Sequence, residues 1–419
     1  MIKVKELIKK SLFFPIAMWL LSRLVIVIAM LLIAPLLPAP QNGIAATFSW
    51  NVFSAWDSIW YQIIATFGYG YTNEYGQSAV AFFPLFPLLI HLIMSFGLPF
   101  EVAGVLLNNL AFLAALIVLY LWVEENYGIH AARWATATLA WCPYSVYGTV
   151  IYTEGLFLLF TTAALRAFDK QQYLSVAFWG ALSTAVRSPG IALIPAFLFV
   201  SWKERRGVKA YLASLAVGLG VLVYSLYCQI KFSDALAFVH AQKGWRSSAG
   251  FDWQGWWYNL MLVVIGPVNA QSGHIQDPLH PLLFTFSIVS GCLLWYFRSK
   301  LSSPKLIFGF YLLNLILWLL GGDPYIKILL VFGGIYFLWL SRNKIPLAAV
   351  VYGFCSFLLI LNIGNTLSVE RYAYGIVSLS VGFGLLLARY PRWGYAIMSF
   401  FAILIATFAI RFSQDLWLA

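Results

Sequence analysis

Apolar runs of membrane-crossing length, parted by short polar turns, occupy most of this chain. They lie at roughly residues 12–36, 101–122, 133–149, 152–168, 173–187, 189–202, 209–230, 279–297, 305–320, 325–341, 345–362, 372–389 and 394–412. A spanning helix needs about 20 apolar residues. The weaker pattern of a membrane barrel, alternating segments of about ten residues, is absent. The hydrophobic pattern therefore predicts an all-α polytopic membrane protein, a bundle of about 13 transmembrane helices. Two intervals between runs are long, 37–100 and 231–278, and neither can hold a soluble catalytic domain. Residues 1–419 are thus expected to form a single transmembrane domain.

One segment complicates the count. Residues 82–97, FFPLFPLLIHLIMSFG, are apolar but short, with Pro84 and Pro87 at the start and His91 midway. Counted as a span, they reverse the side of every later loop, so they are expected to form a juxtamembrane or re-entrant helix in the first long loop. The two short runs meeting at Arg187 could alternatively be one broken helix.

Composition agrees with the pattern. The chain is 62% hydrophobic and 10% charged, where a soluble domain carries about 25% charged residues. The formal charge of +11 changes meaning once it is placed. With the N-terminus inside, 18 of the 26 Lys and Arg fall on the inner face: Lys3, Lys5, Lys9, Lys10, Arg133, Arg166, Lys170, Lys203, Arg205, Arg206, Lys209, Arg298, Lys300, Lys305, Arg342, Lys344, Arg389 and Arg392. Ten of the 15 acids fall outside: Asp57, Glu74, Glu101, Glu154, Asp234, Asp252, Asp277, Asp323, Glu370 and Asp415. The excess charge is a topology signal, and no nucleic-acid partner is expected. The first run follows four lysines but is too long for a signal-peptide core and lacks a small-residue cleavage site, so it is expected to be retained.

Familiar chemistry is scarce. Cys142, Cys228, Cys292 and Cys355 show no metal-ligand spacing and are expected to be small buried helix residues. The five histidines show no HExxH or HxxE spacing; His240, near Gln242, is the one closest to a candidate site. No Gly-rich Walker or Rossmann motif is present, so energy must come from an ion gradient or arrive with the substrate.

What remains is a small set of charges at the outer boundary. Asp57 stands in WDSIWYQIIATFGYG, residues 56–70, among Trp56, Trp60 and Tyr61. Interfacial aromatics anchor a loop at headgroup level, where an uncompensated carboxylate is costly. Such an acid suits a substrate whose lipid tail stays in the membrane; its plain alternative is a cap at the start of SIWYQ. Glu154 opens an apolar run and is either functional or a helix-dipole partner. Arg187, at the VRSPG turn, joins Arg246 and Arg371 on the same face, a set suited to a phosphate or diphosphate. Their alternative is pairing with outer acids, Arg371 with adjacent Glu370 for instance. Arg23, mid-run, is expected to pair within the bundle in a structural role.

Taken in order, the blocks WDSIWY…GY, AFFPLFPLL, VYTEGLFLL, AVRSPGIALIPAF, AQKGWR and ERY resemble the PIG-V type of GPI mannosyltransferase and its prokaryotic relatives, in the GT-C class of membrane glycosyltransferases. The resemblance covers most of the chain, although each block is short. It implies a polyprenyl-phosphate sugar donor, action on the extracytoplasmic or lumenal face, and an essential acid in the first outer loop, at Asp57. It marks Glu154, Arg187, Gln242, Trp245, Arg246, Arg371 and Tyr372 as substrate- or phosphate-binding positions, beside Trp56, Trp60 and Tyr61. The arginine turn departs from the family's TRPTG; VRSPG keeps the arginine and alters its polar neighbours. On this basis Asp57 is the general base for an inverting transfer, probed against a glycolipid or other hydroxyl acceptor.

The resemblance leaves the sugar and acceptor open. The sequence assigns no cofactor; a divalent cation near Asp57 and Glu154 is allowed, though no ligand spacing demands one, and no metal residues are assigned. Membrane lipids, the lipid-linked donor and a small membrane partner subunit are the expected partners. The compact loops favour a bacterial inner membrane over the endoplasmic reticulum. Rival readings are a lipid-linked transferase of another sugar to protein or polysaccharide, a lipid flippase, and a secondary transporter. Transporters gather charge at the midplane, whereas here it gathers at one face.

Overall fold

The computed structural model describes residues 2–71, 76–246 and 249–418, with side chains from residue 12 onward. Glu74, Ser247, Ser248 and the side chains of Lys3, Lys5, Lys9 and Lys10 lie outside the described residues. Among those described there are twenty α-helices and no named strand. In chain order the first ten are α1 Ile2–Ile28, α2 Ser58–Phe67, α3 Leu85–Met94, α4 Phe100–Tyr127, α5 Ile129–Trp141, α6 Glu154–Asp169, α7 Tyr173–Val186, α8 Leu193–Lys203, α9 Val208–Ala216 and α10 Leu219–Phe232. The others are α11 Ala237–His240, α12 Trp253–Val264, α13 Pro267–Ser272, α14 Leu279–Tyr296, α15 Ser303–Ile328, α16 Gly334–Ser341, α17 Leu347–Leu361, α18 Val369–Tyr374, α19 Val377–Arg389 and α20 Pro391–Ser413.

Each predicted span falls on helix, but length divides them. Five continuous helical stretches are long and apolar enough to cross a bilayer among the described residues: Leu12–Leu36, Phe100–Tyr127, Leu279–Tyr296, Ser303–Ser341 and Pro391–Ser413. A sixth forms if α9 and α10, bent by 42°, act as one. The count of about 13 full-length spans is therefore not reached by length alone. The reason is that the apolar runs are cut internally: Pro143 stops α5, and Arg187 leaves the helix in an extended conformation (φ −154, ψ 142). The stretch Ser303–Ser341 is itself divided. Gly322 takes φ +54 and ψ −139, a combination open to glycine. Beyond it Tyr325 Oη donates to Asn314 Oδ1 at 2.8 Å, although a straight helix would separate those residues by about 16 Å. The segment 82–97 forms the ten-residue α3, about 15 Å long. Its His91 Nδ1 lies 2.7 Å from Ala65 O and ties it to α2.

The centre of the molecule is α4 with α5 and α6, and α19 against α5. Half of the most apolar window of α4 is buried, against 11% for α14, which packs mainly on α15 at the periphery. Close approach at the centre depends on Gly155. A Cβ there would stand 2.4 Å from Asn108 O and Oδ1. Asn108 Oδ1 instead accepts from Gly155 N at 2.8 Å, while its amide donates to Tyr147 O and Val150 O. Arg23, 4% exposed, fixes the same loop from the other side. It donates to Ser145 O, Ala140 O, Ser145 Oγ and Thr149 Oγ1. Its partners are loop carbonyls and hydroxyls, a structural role. Among the cysteines Cys228 is buried and Cys142 and Cys355 partly so, but Cys292 is exposed, because α14 lies at the edge of the bundle.

Candidate active site

Asp57 sits at the N-terminus of α2 with helical torsions, yet its carboxylate makes no capping hydrogen bond. The cap reading is corrected by this geometry: Oδ2 accepts from Arg371 Nη1 at 2.8 Å. Two local features hold the acid in place. Trp56 has φ +57, an uncommon conformation for a bulky residue. Tyr152 Oη accepts from Asp57 N at 3.2 Å and donates to Ala55 O at 3.4 Å. The hydrogen bond from Ile151 N to Phe53 O, 3.1 Å, joins the acid's loop to the start of α6.

Arg371, on α18, lies between two carboxylates. Its Nη1 meets Asp57, and its Nε is 3.5 Å from Glu154 Oε1. Glu154 is 1% exposed and also receives Arg187 Nη1 at 2.5 Å. The expected pairing of Arg371 with Glu370 is overturned. Neighbours on a helix point apart, so Glu370 turns to Lys327, 3.4 Å away. Burial would by itself pull the Arg371 guanidinium down; Asp57 and Glu154 more than offset it and hold it charged. Burial likewise pushes the Glu370 carboxyl up to about 7 against the opposing pull of Lys327. The space between Asp57 and Glu154 is thus filled by a guanidinium, and no cluster of three His, Cys, Asp or Glu side chains forms among the described residues.

Over this chain of charges opens a cavity of about 750 Å³. Trp56, Asp57, Trp60, Tyr61, Arg187, Gln242, Trp245, Arg246, Arg371 and Tyr372 all line it. Residues from four separate stretches of sequence therefore meet. Glu154 alone among the candidates does not line the cavity; it lies behind Arg187 and Arg371 as their buried counter-ion. Three guanidiniums face two carboxylates, and the unmatched one is Arg246. Its hydrogen-bond contact is with Tyr372 Oη at 3.4 Å, and it forms no ion pair among the described residues. Tyr372 also lies beneath Arg187, whose guanidinium carbon is 4.8 Å from the ring centre. Gln242 Nε2 approaches Ala81 O at 3.4 Å, joining the two outer loops. Tyr71 and His240 make a second clasp through Asp234 Oδ2, and the His240 hydrogen bond holds that carboxyl below its usual range.

The aromatic walls are of two kinds. Trp60 stacks on Phe82 at 5.9 Å, and Trp245 stands edge-on to both at 5.6 Å. Across the acid, Trp56 meets Trp417 edge-on at 4.8 Å. Trp417, Asn365, Ser188 and Phe238 line the cavity without having been marked by sequence. Trp417 had no motif to reveal it. It is delivered by a fold-back after α20, in which Arg411 Nη2 donates to Trp417 O and Ile44 N to Gln414 O.

Solved structures share this architecture. ArnT from Cupriavidus metallidurans, bound to undecaprenyl phosphate, superposes with a TM-score of 0.54 at 13% identity, over 92% of this chain and 62% of ArnT. The oligosaccharyltransferase of Archaeoglobus fulgidus in the apo form gives a TM-score of 0.50 at 12% identity, over 97% of this chain and 56% of that one. The chain thus spans less than two thirds of either neighbour. No curated protein matches it. All-helical architecture and these neighbours define the fold, a GT-C-like all-α bundle. More particularly, the chain belongs to the mannosyltransferase (PIG-V) family, whose model matches residues 4–214. That stretch carries Asp57, Glu154 and Arg187.

Proposed function

We propose that this protein transfers mannose from a polyprenyl-phosphate donor to a hydroxyl of a lipid-linked or other acceptor, with inversion, on the extracytoplasmic or lumenal face. The observation that carries the reading is the state of Asp57: it opens a helix without capping it and faces the cavity with one oxygen held by Arg371. Oδ2 is engaged, and Oδ1 makes no hydrogen bond among the described residues. Asp57 accordingly takes the proton of the acceptor hydroxyl as its oxygen attacks the anomeric carbon. The bond from that carbon to the phosphate oxygen breaks on the opposite face, and polyprenyl phosphate leaves with the electron pair. Arg246, the cation with no acid partner among the described residues, meets the departing phosphate. Arg371 and Arg187, committed to Asp57 and Glu154, set the geometry of the acids. Aromatic faces at Trp60, Trp245 and Phe82 suit a sugar ring or the first prenyl units. Family membership and the lipid phosphate bound by ArnT support a lipid-linked donor.

The test is transfer by purified protein from polyprenyl-phosphate mannose into a membrane lipid extract, wild type against Asp57→Asn, with polyprenyl-phosphate glucose as a parallel donor. A general base contributes about 10²–10⁴-fold, and a loss of that size in a folded variant is expected. Wild-type turnover by Asp57→Asn would remove the base assignment. Transfer of glucose but not mannose would correct the sugar.

A further inference from the structure

At the opposite end of the bundle from the catalytic cavity, α20 forms a ridge between two apolar grooves. The larger, about 570 Å³, lies between α1, α5 and α20; the smaller, about 430 Å³, lies between α15 and α20. They share Tyr395 and Ser399, one turn apart on the ridge. Since α20 carries Arg411 near the catalytic end and Pro391 at the other, the grooves lie about 14–30 Å along the helix from Arg411.

Their electrostatics are one-sided. His130 and Arg133, on one face of α5, line the larger groove, and Arg392 lines the smaller; among the described residues neither lining contains a carboxylate. Elsewhere on the same face only some cations pair, Arg166 and Lys170 with Glu125 and Arg206 with Glu204; what sets Arg133 and Arg392 apart is that they stand at the edge of apolar grooves. Arg298 and Arg342 each donate to a backbone carbonyl while covering a tryptophan, Trp295 and Trp339. Arg133 instead lies over the Phe14 ring at 5.6 Å, at the edge of the apolar groove, with no ion pair among the described residues. Arg392 has none either. Trp134 packs edge-on to Tyr395 at 5.4 Å, placing an amphipathic pair beside the cations, as at a headgroup boundary.

We infer that these grooves form a binding site for an anionic phospholipid of the inner leaflet, acyl chains in the grooves and headgroup phosphate on Arg133 and Arg392. An acyl chain matches the apolar lining, and a negatively charged headgroup supplies a counter-charge found on none of the described lining residues. This site is separate from the lipid-linked donor, whose chemistry belongs to the other face.

The test is native mass spectrometry of the full chain in detergent, supplied with equal amounts of phosphatidylglycerol and phosphatidylcholine. Wild type is expected to retain the anionic lipid preferentially, by roughly fivefold for each arginine engaged. Arg133→Gln with Arg392→Gln should bring the two lipids to parity while leaving mannose transfer unaffected. Ala402→Trp, which obstructs the larger groove and keeps both arginines, should reduce retention of either lipid. Equal retention by wild type would overturn the proposal without any variant. So would a preference that survives the double substitution in a protein with unchanged elution and melting.

Discussion

Two ends of one bundle carry ion pairs of the same chemistry under opposite conditions. At one end, Glu154 is 1% exposed and Arg371 7%, and they form a continuous chain from Arg187 to Asp57. At the other, Glu125 is 38% exposed and Glu204 44%, each paired locally with neighbours on the surface. Exposed pairs are screened and stabilise by about 0–1 kcal/mol. Buried ones lose far more when a single partner is removed, about 3–5 kcal/mol. A charge at the exposed end therefore contributes little to the fold. At the buried end it holds a geometry, and every member depends on the others.

Several substitutions would break or sharpen that contrast. The largest effect after Asp57→Asn is expected from Glu154→Gln, which leaves Arg187 and Arg371 without their shared counter-ion. It should destabilise the protein by about 3–5 kcal/mol and suppress transfer; melting in detergent, alongside activity, measures both. Unchanged melting would show that the buried chain is not interdependent. Arg246→Ala removes a charged contact worth about 1.5–3 kcal/mol, so donor affinity should fall by roughly ten- to a hundredfold with melting near wild type. A variant losing stability instead would place Arg246 in the structure of the site. Trp417→Ala deletes one wall of the cavity and should raise KM several-fold, about the effect of one aromatic contact of 0.5–1.5 kcal/mol, with kcat less affected. At the exposed end, Glu125→Gln should change melting by no more than about 1 kcal/mol equivalent and leave transfer intact. A large loss there would erase the distinction between the ends.

The pairs also bear on how the charges were read. Among the described residues the remaining ion pairs form two groups: Arg411 with Asp323, Lys327 with Glu370 and His240 with Asp234 at one end, Arg166, Lys170 and Arg206 with their glutamates at the other. Charge segregation was legible because bilayer cost acts on each residue separately. Which acid meets which base was not. Glu370 and Arg371 are adjacent in sequence, but one turn of α18 sends them to different partners, and Asp57 finds Arg371 across more than three hundred residues. The outer aromatic block around Asp57 was visible; Trp417 was not, because nothing in its local sequence distinguishes it from an interfacial tryptophan.

Hydrophobic periodicity and composition by themselves determined an all-helical membrane protein, since burial of apolar helices in a bilayer depends chiefly on local sequence. The ordered blocks from WDSIWY to ERY were enough to suggest the family. Tertiary structure decided the rest: that Asp57 leaves its helix uncapped, that Arg371 lies between two acids, that Arg246 meets no acid among the described residues, and that α20 parts two apolar grooves edged by arginines. Each is a contact between distant segments. Their energies depend on distance and on the surrounding dielectric, quantities that come into being only when the chain is packed.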